Sequence, residues 1–307
     1  MIEFDTIFPH PVNNCKTSLL EYNLRMSKRT LLAVLAHPDD ESFGMGGTLA
    51  LYASRGVDVH LICATRGEVG DVASEMLTGF DSIAELRESE LRCAAGNLGL
   101  AGVHFLNYRD SGMSGSADNN HPQALAAQPL DQVAADVARY IRELKPQVVL
   151  TFDPIGGYRH PDHIAIQMAT VRAFEQSANP DFAAGNSEPY SPKRLYFHVF
   201  PKGFLRLGVK LLPLIGKNPH KFGTNGDIDI SAIAGVDFPV NARIDIRSVL
   251  DKKEKAGACH ASQGGGRMGG SLIGTFMRWF NGSEAFMRFY PPVKLGEKIS
   301  NDIFESL

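Results

Sequence analysis

Cysteine is scarce and scattered in this chain. Cys15, Cys63, Cys93 and Cys259 are its only four, and no two of them stand in a CxxC pair. Neither a disulfide framework nor a cysteine zinc site is therefore suggested, and reduced thiols in a cytosol are the expectation. Also missing is any run of about eighteen apolar residues, so no membrane-spanning helix is expected. Residues 1–29 lack the basic start and apolar centre of a signal peptide and read as an extension wrapped on the surface, which points to a cytoplasmic protein. Neither sign of charge is in excess: 31 basic against 34 acidic residues leave a net charge of -3. A nucleic-acid footprint and an acidic tail are both excluded as organising features. No internal repeat and no low-complexity tract is present.

What is present is an alternation of apolar, β-branched runs with segments of helical period. Strands are expected at 31–38, 57–65, 103–108, 148–154 and 195–200, and helices near 44–55, 82–99, 129–145 and 161–177. This order predicts an α/β fold: a Rossmann-like, mostly parallel sheet with helices on both faces. The expected organisation is an N-terminal extension (1–29), a catalytic core (30–200), and a C-terminal part (201–307) that completes the same domain and the substrate cleft. In that last part VDFPVNARIDI (236–246) reads as a peripheral strand pair, followed by a helix from about Ser248 to Cys259. HASQGGGRMGGS (260–271) reads either as a mobile active-site loop, with glycines at 264–270, or as a plain connector. Through this stretch His260, Ser262 and Gln263 are the candidates to approach the site from the C-terminal part. The basic, apolar stretch 201–221 suits either a membrane-touching helix or one packed on the core.

Ligands of such sheets bind beyond the carboxyl ends of the strands, and two charged clusters occupy such ends. His37-Pro38-Asp39-Asp40-Glu41 follows LLAVLA directly. Adjacent carboxylates beside a buried strand cost desolvation and repulsion unless a cation compensates, although acids there also serve to cap the next helix. Downstream, VVLTFDP runs into IGGYRHPDH, where His160 and His163 stand three apart, so that both can face one point at a helix start. Two histidines plus carboxylates from two strand ends point to a shared metal site, with mixed ligation and an open position as in catalytic zinc centres. Gly44, Gly46 and Gly47 lack the spacing of a dinucleotide loop and read as close helix packing. His104 and His198 read as core or surface histidines.

AHPDDE followed by GGYRHPDH, with TRGEVGD (65–71), LRESELRCAAGNLGL (86–100) and NYRDSGM (107–113) between them, resembles the PIG-L/LmbE-like superfamily of zinc-dependent deacetylases acting on N-acetylglucosamine units. NYRDSGM is similar to the branch that includes the mycothiol-pathway deacetylases. The likeness covers most of 30–175 and continues weakly through KAGACHASQ (255–263). The resemblance implies His37, Asp40 and His163 as metal ligands and Asp39 as general base. It also implies His160 and Tyr158 beside the oxyanion or the leaving amine. Asp162 would orient a histidine or cap a helix. Glu68, Arg87 and Asp110 are the expected substrate contacts, with a salt bridge to Glu88 or Glu90 as the other reading of Arg87. The implied activity is removal of an acyl group from an N-acetylglucosamine-type amino sugar or conjugate, with zinc or another divalent metal such as iron(II). A non-haem iron enzyme and a non-catalytic sugar- or nucleotide-binding protein stand as alternatives. A homo-oligomer is compatible with the sequence.

Overall fold

The computed structural model describes residues 29–200, 206, 209–216, 218–220, 229–265 and 282–307. Residues 1–28 of the N-terminal extension, nine residues of the 201–221 stretch and the glycines after 265 lie outside these residues. Seven strands form one sheet: β1 (Thr30–Leu35), β2 (Asp58–Cys63), β3 (Gly102–Phe105), β4 (Val148–Phe152), β5 (Arg194–Val199), β6 (Ala242–Asp245) and β7 (Ser283–Tyr290), in the order β3-β2-β1-β4-β5-β7-β6. The first five are mutually parallel; β7 runs antiparallel to β5, and β6 antiparallel to β7. The α/β, mostly parallel architecture is thus the expected one. The 236–246 stretch is not a strand pair: only its second half is a strand, and its partner is β7, which no period in the sequence announced. Its edge position leaves the strand alternately buried and exposed over four residues, too few to stand out.

The principal helices are α1 (Gly46–Ser54), α2 (Ile83–Leu98), α3 (Leu130–Leu144), α4 (Pro161–Gln176) and α5 (Leu250–Cys259). α3 packs on α4, whereas α5 packs on α1 and α2, which gives the two helical layers that right-handed crossovers require. β1 and β4 are buried at every position, because each is covered on both faces. α3 buries Val133, Ala134, Val137, Ala138 and Ile141, a single stripe at helical spacing. Gly47 is a packing glycine: a Cβ there would lie 2.3 Å from Ile246 Cδ1. Glu284 of β7 accepts the Gly47 and Thr48 backbone N–H groups at the start of α1 and an ion pair from Lys253 of α5, so the C-terminal strands are bound into the core.

Two of the cysteines depart from the expected reduced state. Cys93 of α2 and Cys259 at the end of α5 form a disulfide across 166 residues of sequence. Such a separation leaves no spacing signal, because only the packing of α5 on α2 brings the two sulfurs together. Cys63 is a free, buried thiol.

Candidate active site

β1 lies between β2 and β4, and the chain moves outward from it in both directions, so the ends of β1 and β4 flank the crevice where strand order reverses. HPDDE leaves β1 and GGYRHPDH leaves β4 at this crevice. The turn after β4 is tight: Gly156 and Gly157 have φ of 65 and 67, and the Asp153 carboxylate accepts the Ile155 and Gly157 N–H groups. His160 then takes the N-cap of α4 with Pro161 behind it.

Donor atoms of three residues converge. His37 Nδ1 and His163 Nε2 are 3.2 Å apart, Asp40 Oδ1 is 3.2 Å from His163 Nε2, and Asp40 Oδ2 is 3.6 Å from His37 Nδ1. Ligands held at about 2.0–2.1 Å around a tetrahedral metal stand roughly 3.3 Å from one another, so the two 3.2 Å separations suit one. The outer nitrogen of each ring has an acceptor for its proton. His37 Nε2 bonds to Asp162 Oδ2 at 3.1 Å, and His163 Nδ1 to the Gly156 carbonyl at 3.2 Å, which leaves His37 Nδ1 and His163 Nε2 as lone pairs facing the common point. Phe152 stacks on His163 at 4.0 Å and holds its plane. Asp40 makes no side-chain cap bond to the following helical turn; instead its carboxylate accepts the His37 N–H.

His160 also offers a nitrogen near His37 and His163, and His37, Asp110, His160 and Asp162 form an overlapping buried group. His37 Nε2 is already spent on Asp162 in that second group, so the first convergence is the better cradle. Burial opposes charge on His37, but Asp110, Asp162 and Asp40 outweigh it and raise its pKa, as expected of a pocket whose carboxylates call for a cation.

Asp39 stands beside this cradle with φ of 126, rare for a residue with a side chain. Burial raises its pKa to about 6, against the pull of the Arg87 guanidinium. Arg87 reaches over from α2: Nη2 donates to Asp39 Oδ2 at 3.0 Å and to the Pro38 carbonyl at 2.6 Å, and Nη1 to the Gly67 carbonyl at 3.1 Å. It is 3% exposed and pairs with neither Glu88, which binds Arg66 and Arg92, nor Glu90, which binds Ser262. The helix-surface salt bridge is therefore absent, and the guanidinium is committed to Asp39 and its loop. Gly67 makes room for it, since a Cβ there would sit 2.0 Å from Nη1.

On the other side of the crevice His160 Nδ1 accepts the Asp162 N–H at 3.1 Å. Burial, with His37 and His163 alongside, pushes its pKa down to about 2, so the ring is neutral and Nε2 carries the proton. Tyr158 lies edge-on to His163, and burial raises its pKa, which keeps its hydroxyl a donor. Asp162 is fully buried; besides His37 it accepts the Ser111 N–H and hydroxyl. Its carboxylate thus lies between His37 Nε2 and Ser111. Glu68 accepts the Asp110 N–H at 3.0 Å, and Asp110 Oδ1 lies 3.5 Å from His37 Nε2. The ten residues expected as metal ligands, catalytic groups or substrate contacts lie at this crevice. Ser111, Glu41 and the clamp that Glu41 forms with His260 were not anticipated in these roles. Ser111 carries no signal of its own, whereas the Glu of HPDDE and the His of ACHASQ were visible but had nothing in the sequence to connect them.

The family described as PIG-L, GlcNAc-PI de-N-acetylase, matches residues 32–174, the segment holding both clusters. A 1D-myo-inositol 2-acetamido-2-deoxy-alpha-D-glucopyranoside deacetylase of Rhodococcus jostii is 37% identical over 247 residues, 78% of this chain and 82% of that protein. Among solved structures, an N,N'-diacetylchitobiose deacetylase from Pyrococcus horikoshii aligns with a TM-score of 0.58 at 21% identity, covering 91% of this chain and 94% of that one. A 4-carboxy-2-hydroxymuconate hydratase from Pseudomonas putida aligns at 0.56 with 19% identity over 87% of this chain and 98% of that one, so the fold alone does not specify deacetylation. The identity to the Rhodococcus enzyme does more, because it extends over most of both chains: this protein belongs to the PIG-L family of de-N-acetylases.

Proposed function

We propose that this protein is a metal-dependent N-deacetylase that hydrolyses the acetamide of a glucosaminyl-inositol or closely related N-acetylglucosaminyl conjugate, with zinc held by His37, Asp40 and His163. The observation that carries this reading is the convergence of His37 Nδ1, Asp40 and His163 Nε2 with a carboxylate, Asp39, beside them. Its substrate class is supported by the 37% identity to the Rhodococcus deacetylase. A divalent cation in this cradle supplies a water acidified toward neutrality and a polarised acyl carbonyl.

The protein's own groups do the rest. Asp39, with its pKa raised to about 6, takes the proton from the attacking water and is aimed by Arg87. The His160 Nε2–H and the Tyr158 hydroxyl donate to the oxygen on which negative charge develops, and both are preorganised by burial. The proton collected by Asp39 returns to the departing amine, which releases acetate and a free amino sugar. Glu68 and Asp110, on loops at the same crevice, are the acceptors proposed for sugar hydroxyls.

The test is amine release from the inositol conjugate, from free N-acetylglucosamine and from diacetylchitobiose, by zinc-loaded and chelated protein and by Asp39→Asn. Zinc-dependent release from the inositol conjugate, with a loss of about 10²-fold or more in Asp39→Asn, is expected. Activity that survives chelation, or an Asp39→Asn variant with parental rate, refutes the mechanism. Oxygen consumption with iron(II) in place of amine release would instead assign the two-histidine, one-carboxylate set to iron chemistry.

A further inference from the structure

The first turn after Asp40 holds a buried acid that the mechanism above does not use. Glu41 is fully buried, and its Oε2 accepts the backbone N–H of Asp39 at 3.0 Å. Its other oxygen accepts the Ser42 hydroxyl and, at 2.7 Å, Nε2 of His260, a fully buried residue from the opposite end of the sequence. Asp39 is the residue with φ of 126, and such a conformation persists only where the surroundings over-determine it. Its carbonyl is held by the Ser42 and Phe43 N–H groups and its side chain by Arg87; its N–H is held by Glu41.

His260 is itself delivered by a segment with two anchors on α2. Cys259 is joined to Cys93, and the Ser262 N–H and hydroxyl both bond to the Glu90 carboxylate, at 2.8 and 2.6 Å. The Gln263 and Gly265 N–H groups close onto the His260 carbonyl, and Phe43 packs edge-on to its ring at 5.9 Å. A buried carboxylate is a precise anchor only while its donors stay in place, and His260 is the donor that comes from outside the turn.

We infer that His260 is a positioning residue for the general base: it fixes the Glu41 carboxylate, which in turn holds the Asp39 backbone in the conformation that aims its side chain at the attacking water. The inference rests on the reading of Asp39 as that base. It also gives the C-terminal segment a role in the chemistry without any contact with the reacting atoms.

Two near-isosteres separate this role from simple packing. His260→Gln places an amide nitrogen where Nε2 was, whereas His260→Asn places it near Nδ1, short of Glu41. Kinetics on the inositol conjugate, with bound zinc measured by elemental analysis, are expected to show kcat of His260→Asn reduced by about tenfold or more while KM and zinc content stay within about twofold. His260→Gln is expected to recover to within about threefold of the parent. In an Asp39→Asn background the Asn substitution at 260 should no longer lower the residual rate, because the group it positions is gone.

A kcat of His260→Asn equal to the parent's, or a loss that persists undiminished in the Asp39→Asn background, overturns the inference while leaving Asp39 as base. An Asp39→Asn variant with parental rate overturns the base reading, and this inference with it. Should His260→Asn fail to fold, Glu41→Gln enters the same cycle, with the same expected kcat loss and the same cancellation.

Discussion

Replacing Asp162 by Asn tests the architecture behind the metal cradle. Asp162 accepts three hydrogen bonds: from His37 Nε2 at 3.1 Å, from the Ser111 N–H at 2.8 Å, and from the Ser111 hydroxyl. Oδ2 accepts from both His37 Nε2 and the Ser111 N–H, and Oδ1 accepts from the Ser111 hydroxyl. An Asn amide nitrogen in the Oδ2 place faces both N–H donors, and the imidazole loses the acceptor that keeps its proton on Nε2. In the Oδ1 place it leaves the Ser111 hydroxyl proton without its acceptor, at a cost of about 1–3 kcal/mol, and His37 then bonds to a neutral amide oxygen, a weaker acceptor than the carboxylate. Partners of this kind typically carry 10–100-fold in metal affinity or activity. Asp162→Asn should therefore weaken zinc binding by about 10–100-fold in a chelator competition and lower the denaturation midpoint. Ser111→Ala, which removes only the hydroxyl bond, should cost about threefold or less in zinc affinity, since the Ser111 N–H remains. Equal zinc affinity in the parent and Asp162→Asn, both folded, would refute the claim that Asp162 sets the His37 tautomer.

Further outcomes follow from single contacts. Gly67→Ala puts a methyl group 2.0 Å from Arg87 Nη1 at φ of 68, and should cost about 1–3 kcal/mol and displace Arg87 from Asp39. Gly79→Ala, at φ of 89 with open space around it, is the control that carries backbone strain alone; equal activities in the two variants would refute the displacement. Removing the Cys93–Cys259 bond frees a 166-residue loop in the unfolded chain, worth up to about 5 kcal/mol by loop-closure entropy. Urea titrations of the oxidised, reduced and Cys93→Ser/Cys259→Ser forms check it, and identical midpoints would sink the entropic account. His198 on β5 is buried, and burial pushes its pKa down to about 4. Because the folded value lies below the unfolded value of about 6.5, its contribution is complete above that pH and is lost as the pH falls toward 4. Between pH 7.5 and 4.5 the loss amounts to roughly 2–3 kcal/mol. His198→Phe should flatten that part of the stability profile, and an unchanged acid slope in urea titrations would show that His198 is not its source.

The strands that carry the site were legible because a sheet covered on both faces needs continuous apolar runs. LLAVL and VVLTF are such runs, and each is followed directly by its charged cluster. β6 and β7 were not legible as a pair, because their pairing bridges the segment between residues 245 and 283 and their periodicity is short. Arg87 shows the limit within a helix. Its neighbours in sequence, Glu88 and Glu90, suggested local ion pairs, yet packing turns it inward to Pro38, Gly67 and Asp39.

By itself, the sequence determined the fold class and the two strand-end clusters of histidines and carboxylates, because each of these depends on residue type and short spacing. Only the tertiary structure decided which nitrogen of each histidine faces the common point, that Asp162 stands behind His37, that Cys93 meets Cys259, and that His260 reaches Glu41. Those are contacts between segments far apart in the chain. Their geometry is set by how helices and strands pack, and packing leaves no local pattern to read.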